Sequence, residues 1–172
     1  MFLKFIKDLS IKRVLNNSSE KVNKPLHDLK ILTIGVLIDE SSFSKKEPLI
    51  ESLLSNGFSE EKRSLLVFKD AYKKNEEPLD SHFSYKNISL LGTIESQEVN
   101  DFIRKDFDLL ISYYDGNKPP LQLVTHLSEA KFKVGFASVD KRYNHFLIDT
   151  LMENHTLFTN EMFKYLRILN KL

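Results

Sequence analysis

The chain has 172 residues, of which 41% are hydrophobic, and this is enough apolar material to bury the core of one domain. It has no cysteine and only five glycines, no two closer than 19 residues. This excludes disulfides, cysteine-based metal sites, the glycine-rich loops that hold nucleotide phosphates and the nucleophile elbow of serine hydrolases. The 25 basic and 24 acidic residues give a net charge of +1, so we expect no nucleic-acid partner.

The first 24 residues differ in charge from the rest of the chain. They contain six basic and two acidic residues, a net charge of +4, which leaves −3 for all later residues. A helical projection places Phe2, Phe5, Ile6 and Leu9 on one face, so the segment is predicted to be a basic amphipathic helix. The apolar stripe does not continue beyond residue 9; either the helix is covered on two sides or it bends near Ser10.

These four apolar side chains are the candidate partner-binding residues. They can bind a protein partner, join two copies of the chain, or pack onto an uncovered part of its own domain. Peripheral contact with a membrane is disfavoured, because four net charges and a turn and a half of apolar face make a weak anchor. Lys4 and Lys7 interrupt any secretory signal, and the longest hydrophobic stretch, residues 31–38, is too short for a membrane span. We therefore expect a cytoplasmic protein.

From residue 31 onward, strand and helix patterns alternate. Residues 31–38 form a continuous run rich in β-branched residues and leucine, which indicates a strand buried on both faces. Ser44 and Glu47 form a capping box at the start of a helix. Residues 73–85 are polar and are predicted to form the one long loop. Strands are predicted at residues 31–38, 65–68, 88–91, 108–114, 132–137 and 146–148.

This alternation predicts an α/β domain. We expect a three-layer, Rossmann-like arrangement with helices on both faces of a mostly parallel sheet of five or six strands. Residues 25–172 are assigned to that domain and residues 1–24 to an N-terminal amphipathic helical arm, with a polar linker at residues 16–25.

The strand ends are the expected place for a small-molecule site, because ligands of open parallel sheets bind beyond the carboxyl ends of the strands. The helix that begins near Ser44 adds free amides that could hold an anion. The alternative is that these residues end strands and cap helices, as their types do in most turns. The candidate ligand-binding residues are Asp39, Ser41, Ser42, Ser44, Asp115, Asn117 and Asp140.

Catalysis and metal binding have less support. Asp39, Asp115 and Asp140 could chelate Mg²⁺ through carboxylate oxygens, but no phosphate-binding loop accompanies them. The five histidines lie at least ten residues apart, so the spacing of zinc proteases is absent. No motif selects a catalytic serine. We expect no catalytic residue, no metal site and no cofactor.

Two resemblances to known families add to these patterns. Residues 101–136, with the stretches 107–111 (FDLLI) and 130–136 (AKFKVGF), resemble the amino-terminal half of heptosyltransferase-like glycosyltransferases. In that family the motif describes the packing of a Rossmann-like half. Across nearly its full length the chain is similar to a family of small bacterial cytosolic Rossmann-like proteins of unknown function, a resemblance that implies no activity.

The expected function is a non-catalytic binding or adaptor module for a macromolecular partner, or self-association, through the N-terminal arm. The alternative is a small enzyme or sensor that binds a phosphorylated or nucleotide-sugar ligand at the strand ends. The shape of the strand-end crevice discriminates between them. An open pocket with converging polar groups favours the ligand, and a filled crevice favours the partner.

Overall fold

Six parallel strands form one sheet in the computed structural model, which describes residues 2–18, 29–43, 46–70 and 80–172. The strands are β1 (Ile34–Asp39), β2 (Arg63–Phe68), β3 (Ser81–Phe83), β4 (Leu109–Tyr113), β5 (Phe132–Phe136) and β6 (Phe146–Ile148). The helices are α1 (Phe2–Asn17), α2 (Lys46–Ser55), α3 (Gln97–Arg104), α4 (Pro119–Leu127) and α5 (His155–Ile168).

The strand order is β3-β2-β1-β4-β5-β6, and every neighbouring pair is parallel. The central strands β1, β4 and β5 are buried at every position, as the continuous apolar runs predict. Helix α2 packs against α5, and α4 packs against both α1 and α3. With right-handed crossovers these two groups cover opposite faces of the sheet. The predicted three-layer α/β fold is therefore confirmed, with six strands and an N-terminal helix.

The third strand lies elsewhere than predicted. Residues 88–91 form no strand; Ile88 makes one isolated antiparallel bridge to Ile94, and Leu90 and Leu91 are exposed on a loop. The strand β3 falls inside the segment predicted to be a loop. It is a three-residue edge strand in which only Phe83 is fully buried, so it has no apolar run to indicate it.

Helix α1 is continuous from Phe2 to Asn17 and does not end or break at Ser10. It lies on the domain through Ile11 and Leu15, which are buried. The apolar stripe predicted from the first nine residues lies on the opposite side, where Leu9 and its neighbours remain exposed. The helix is therefore covered on one side, not two. Residues 19–28, which contain most of the predicted linker, lie outside the described residues.

Two strand glycines make room for side chains that cross the sheet surface. A Cβ on Gly35 would lie 2.7 Å from the ring of Phe107, and a Cβ on Gly135 would lie 2.6 Å from the amide nitrogen of Asn144. Real Cβ atoms do not approach other atoms so closely, so both positions require glycine or a shift of the neighbour. Both neighbours are buried.

Candidate functional site

An ion pair occupies the centre of the carboxyl edge of the sheet. Chain crossings change direction between β1 and β4, which is where sheets of this type bind ligands. Asp39 is fully buried there, and its Oδ2 lies 2.5 Å from Nζ of Lys118. The same Nζ donates to Oγ of Ser42 at 2.9 Å, while Oδ1 of Asp39 accepts from the backbone N–H of Ser41 at 3.1 Å. The three candidate residues Asp39, Ser41 and Ser42 therefore fix the loop after β1.

Neither neighbouring helix start favours an anion. Pro119 and Pro120 occupy the first two positions of α4, and proline has no N–H to offer a phosphate. At the start of α2, Ser44 lies outside the described residues. Lys46 pairs there with Asp80 at 2.5 Å and with Glu40 at 3.3 Å, so its charge is already matched.

Helix α1 crosses the carboxyl edge of the sheet. In its first half, Nζ of Lys7 donates to the carbonyl of Tyr85 at 2.8 Å, and Oδ1 of Asp8 accepts from the hydroxyl of Tyr85 at 2.8 Å. Burial, together with Asp8, raises the pKa of that hydroxyl, so it remains a donor. In its second half, Asn16 accepts a 3.5 Å hydrogen bond from Arg142. Tyr85 follows β3 and Arg142 follows β5, so α1 spans several strand ends.

One cleft of about 400 Å³ remains under the second half of α1. Four segments enclose it: α1, the first turn of α4, and the loops that follow β4 and β5. Asn117 and Asp140 are the candidate residues that line it, whereas Asp115 is half-buried outside it. The full lining consists of Lys12, Leu15, Asn16, Gly116, Asn117, Gln122, Ser138, Asp140, Arg142 and Tyr143. No local motif marks most of these residues, because they come from separate parts of the chain.

Asp140 and Arg142 neutralise each other at the rim of this cleft. The carboxylate accepts from Nε of Arg142 at 2.9 Å and lies 2.8 Å from its Nη2. The hydrogen bond from Arg142 outweighs burial and holds the pKa of Asp140 below its usual value. Nη2 also donates to the hydroxyl of Tyr143 at 3.2 Å. Asp140 is therefore a fixed anion with its own cation.

The candidate aspartates do not form a metal site. Asp39 is held by Lys118 and Asp140 by Arg142, in separate places. Within the described residues, no group of three or more His, Asp or Glu side chains could hold a metal ion. The Mg²⁺ hypothesis from the sequence therefore has no geometric support in this part of the chain.

The side of α1 that faces away from the domain is apolar and cationic. Phe2, Phe5 and Leu9 are 74%, 60% and 51% exposed, and Lys12 and Arg13 are exposed beside them. We call these five residues the outer face of α1. Of the four predicted partner-binding residues, only Ile6 is half-buried. The loop with Leu90 and Leu91 adjoins α1, since the carbonyl of Leu90 accepts from Oγ of Ser10 at 2.7 Å.

Residues 107–111 and 130–136, on which the predicted resemblance to glycosyltransferases was based, have structural roles here. Phe107 covers Gly35. Burial alone would raise the pKa of Asp108, but hydrogen bonds from Lys131 and from the amides of Leu32 and Thr33 hold it below its usual value. Asp108 thus fixes the chain that enters β1, and none of these residues lines the cleft.

Comparisons with known proteins give a family but no activity. No curated protein and no solved structure matches the chain. None of the helices in the described part of the chain has both the length and the apolar character that crossing a membrane requires. A family model described as a family of unknown function, DUF6913, matches residues 4–169. Because the match covers almost the whole sequence, the chain belongs to this family of unknown function.

Proposed function

We propose that this protein is a non-catalytic binding module that recognises a protein partner through the outer face of α1. One observation carries the proposal: α1 is fixed to the domain by Ile11 and Leu15, yet three large apolar side chains on its other side stay exposed. The ion pair of Asp39 and Lys118 at the centre of the carboxyl edge supports the same choice, because a ligand that binds there would have to displace it.

A fixed helix with an exposed apolar stripe suits insertion into a groove of another protein. Phe2, Phe5 and Leu9 have the i, i+3, i+7 spacing by which helices place anchoring side chains in such grooves. Because α1 is already held on the domain, little conformational entropy remains to be lost on binding. The outer face is therefore assigned to helix-in-groove recognition.

The positive charges of the outer face favour a partner with acidic residues at its binding surface. Lys12 and Arg13 follow the apolar stripe, and neither makes a hydrogen bond or ion pair with another described residue. Asp8, the one acid of the helix, is bound to Tyr85 on the inner side. An apolar groove with acidic residues at one end complements this arrangement.

A second copy of the chain and a membrane fit the outer face less well. Pairing two α1 helices would place cations beside cations and supply no acid. An anionic membrane would attract Lys12 and Arg13, but residues 25–172 carry a net charge of −3, which it would repel.

The test is affinity purification from native lysate, with the full chain as bait. The variant Phe5→Ser/Leu9→Ser removes the stripe, and the control Leu157→Ser/Ile168→Ser removes exposed apolar side chains from α5 instead. We expect one protein in stoichiometric amount with the wild type and the control, and none with the stripe variant. The purified complex should weaken about fivefold from low to high salt, because screening removes about 1 kcal/mol of surface ion pairing.

Two further measurements distinguish a protein partner from a second copy of the chain and from a membrane. Light scattering on the purified chain detects self-association, and sedimentation with phosphatidylserine vesicles detects membrane binding. The proposal is wrong if the stripe variant keeps the partner, if the wild type dimerises through this face, or if the vesicles bind the wild type and lose the stripe variant.

A further inference from the structure

We infer that the cleft under α1 binds a small polyhydroxylated anion, a sugar phosphate or a sugar acid. This site lies under α1 and shares only Lys12, at its rim, with the outer face, and the inference does not depend on the proposed function. Its volume of about 400 Å³ is near the lower end of the range of ligand pockets, which suits one monosaccharide unit and not a dinucleotide.

The side chain of Gln122 provides the first evidence that this cleft binds a ligand. Gln122 is only 5% exposed, lines the cleft, and makes no side-chain hydrogen bond to any described residue. Its amide atoms are not among the fully enclosed polar atoms that lack a partner, so they are accessible from the cleft. A ligand that both donates and accepts a hydrogen bond can therefore bind this amide in place of water.

Asn16, Asn117 and Tyr143 provide further hydrogen-bonding groups in the same cleft. Asn117 makes no side-chain hydrogen bond within the described part of the chain, and Asn16 uses only its oxygen, as acceptor from Arg142. The hydroxyl of Tyr143 accepts from Arg142 and donates to no described residue. Burial raises the pKa of this hydroxyl, so it stays protonated as a donor. Amides and a hydroxyl offer donors and acceptors side by side, which is what a series of sugar hydroxyl groups requires.

The charges of the lining residues favour a ligand that is an anion. Asp140 and Arg142 cancel each other, which leaves Lys12 as the one unmatched charge among the residues that line the cleft. Lys12 is exposed at the rim and has no partner among the described residues. A compact ammonium on a flexible stem binds a phosphate or carboxylate as a point charge. The anionic group of the ligand is therefore placed at the rim and its hydroxyls deeper, against Gln122.

Ligand binding should also fix α1. Lys12, Leu15 and Asn16 belong to this helix, whereas the rest of the lining belongs to the domain. A molecule held between them adds contacts that exist only while α1 is docked. It therefore protects the amides of α1 from hydrogen exchange, a readout that nonspecific charge pairing at the surface would not give.

Titration calorimetry with the full chain tests the site. The probes are glucose 6-phosphate, ribose 5-phosphate and gluconate, with inorganic phosphate and glucose as single-feature controls. Gln122→Leu and Lys12→Gln remove the two recognition elements. Lys62→Gln is the matched control, since Lys62 is an exposed lysine before β2, at the opposite edge of the sheet. Gln122→Leu keeps a side chain of similar size and breaks no hydrogen bond to a described residue, so it should fold about as stably as the wild type.

We expect one or more of the three anionic probes to bind saturably and to slow exchange of the α1 amides. Each cleft variant should weaken that binding about tenfold, while Lys62→Gln leaves it unchanged. Preference for the phosphates or for gluconate identifies the anionic group. The inference is overturned if none of the three probes binds at millimolar concentration, if inorganic phosphate binds as tightly as the sugar phosphates, or if the cleft variants bind like the wild type.

Discussion

The side chain of Asn144 occupies the space next to Gly135 that the Cβ of any other residue at this position of β5 would take. The residue is only 5% exposed, and neither its amide nitrogen nor its oxygen has a hydrogen-bond partner among the described residues. The glycine is what makes room for it, because a Cβ there would lie 2.6 Å from the amide nitrogen. Gly135 is therefore needed to accommodate Asn144, and the side chain of Asn144 occupies the space that the glycine leaves.

Gly135→Ala should lower the free energy of unfolding by about 1–3 kcal/mol, because the added methyl group forces the buried amide of Asn144 aside. Asn144→Ala in the same chain removes the clash and should recover part of that loss. Urea unfolding of both single variants and the double variant measures the coupling between the two sites. Strictly additive losses would contradict this account of the glycine.

His145 makes stability depend on pH. Its Nδ1 accepts a 2.9 Å hydrogen bond from the backbone N–H of Lys133, so the ring is neutral in the fold. Burial, with Lys133 and Lys171 nearby, lowers its pKa to about 4. The unfolded chain takes up the proton near pH 6.5, so this contribution is complete above that pH and is lost as the pH falls toward 4.

The loss between pH 7 and pH 4.5 should be on the order of 1–2 kcal/mol for this one side chain, after allowance for its partial exposure. Urea unfolding at the two pH values measures it, with His145→Leu compared with the wild type. His155→Gln is the control, because it removes a histidine elsewhere. An equal pH dependence in wild type and His145→Leu would exclude the role of His145.

At the scale of elements, α1 has two apolar faces that differ in burial. Ile11 and Leu15 are buried against the domain, whereas Phe5 and Leu9 are exposed. Both sets are apolar at helical spacing, so the sequence predicts the helix but does not tell which set packs. The domain decides this through contacts distant in the sequence, such as that of Asp8 with Tyr85.

The two faces predict opposite responses to substitution. Ile11→Ala and Leu15→Ala should each cost about 2–5 kcal/mol and raise hydrogen exchange throughout α1, because they leave cavities beneath it. Phe5→Ser and Leu9→Ser should change stability by less than about 0.5 kcal/mol, since exposed positions contribute little. Chemical unfolding with exchange mass spectrometry measures both. A large loss of stability in the Phe5 and Leu9 variants would mean that these side chains pack on the domain.

The apolar pattern of the sequence predicts the central strands correctly but misplaces the edge strand β3. Central strands buried on both faces have continuous apolar runs, and β1, β4 and β5 were predictable for that reason. The edge strand β3 has three residues and one fully buried side chain, which is too little signal. The apolar run at residues 88–91 is misleading because Leu90 and Leu91 are exposed on a loop beside α1.

At the scale of the whole molecule, an ion pair occupies the centre of the carboxyl edge of the sheet, and a cleft lies beside it under α1. The scarcity of glycine excluded a phosphate loop, and in its place Lys118 reaches Asp39. That contact spans 79 positions of the sequence, and residue types alone did not indicate it. The cleft was only partly predictable: Asn117 and Asp140 were candidates as strand-end residues, whereas Gln122 and Lys12 enter it through the packing of helices.

The proposed function requires that the outer face of α1 contacts a protein partner in the cell. Site-specific photo-cross-linking in the native cell measures this contact most directly, with benzoylphenylalanine placed at Phe5 and, as control, at Ile168 on α5. We expect one discrete cross-linked protein from position 5 and none from position 168. That protein should carry acidic residues beside an apolar groove. No cross-link from position 5, or the same cross-links from both positions, would contradict the proposed function.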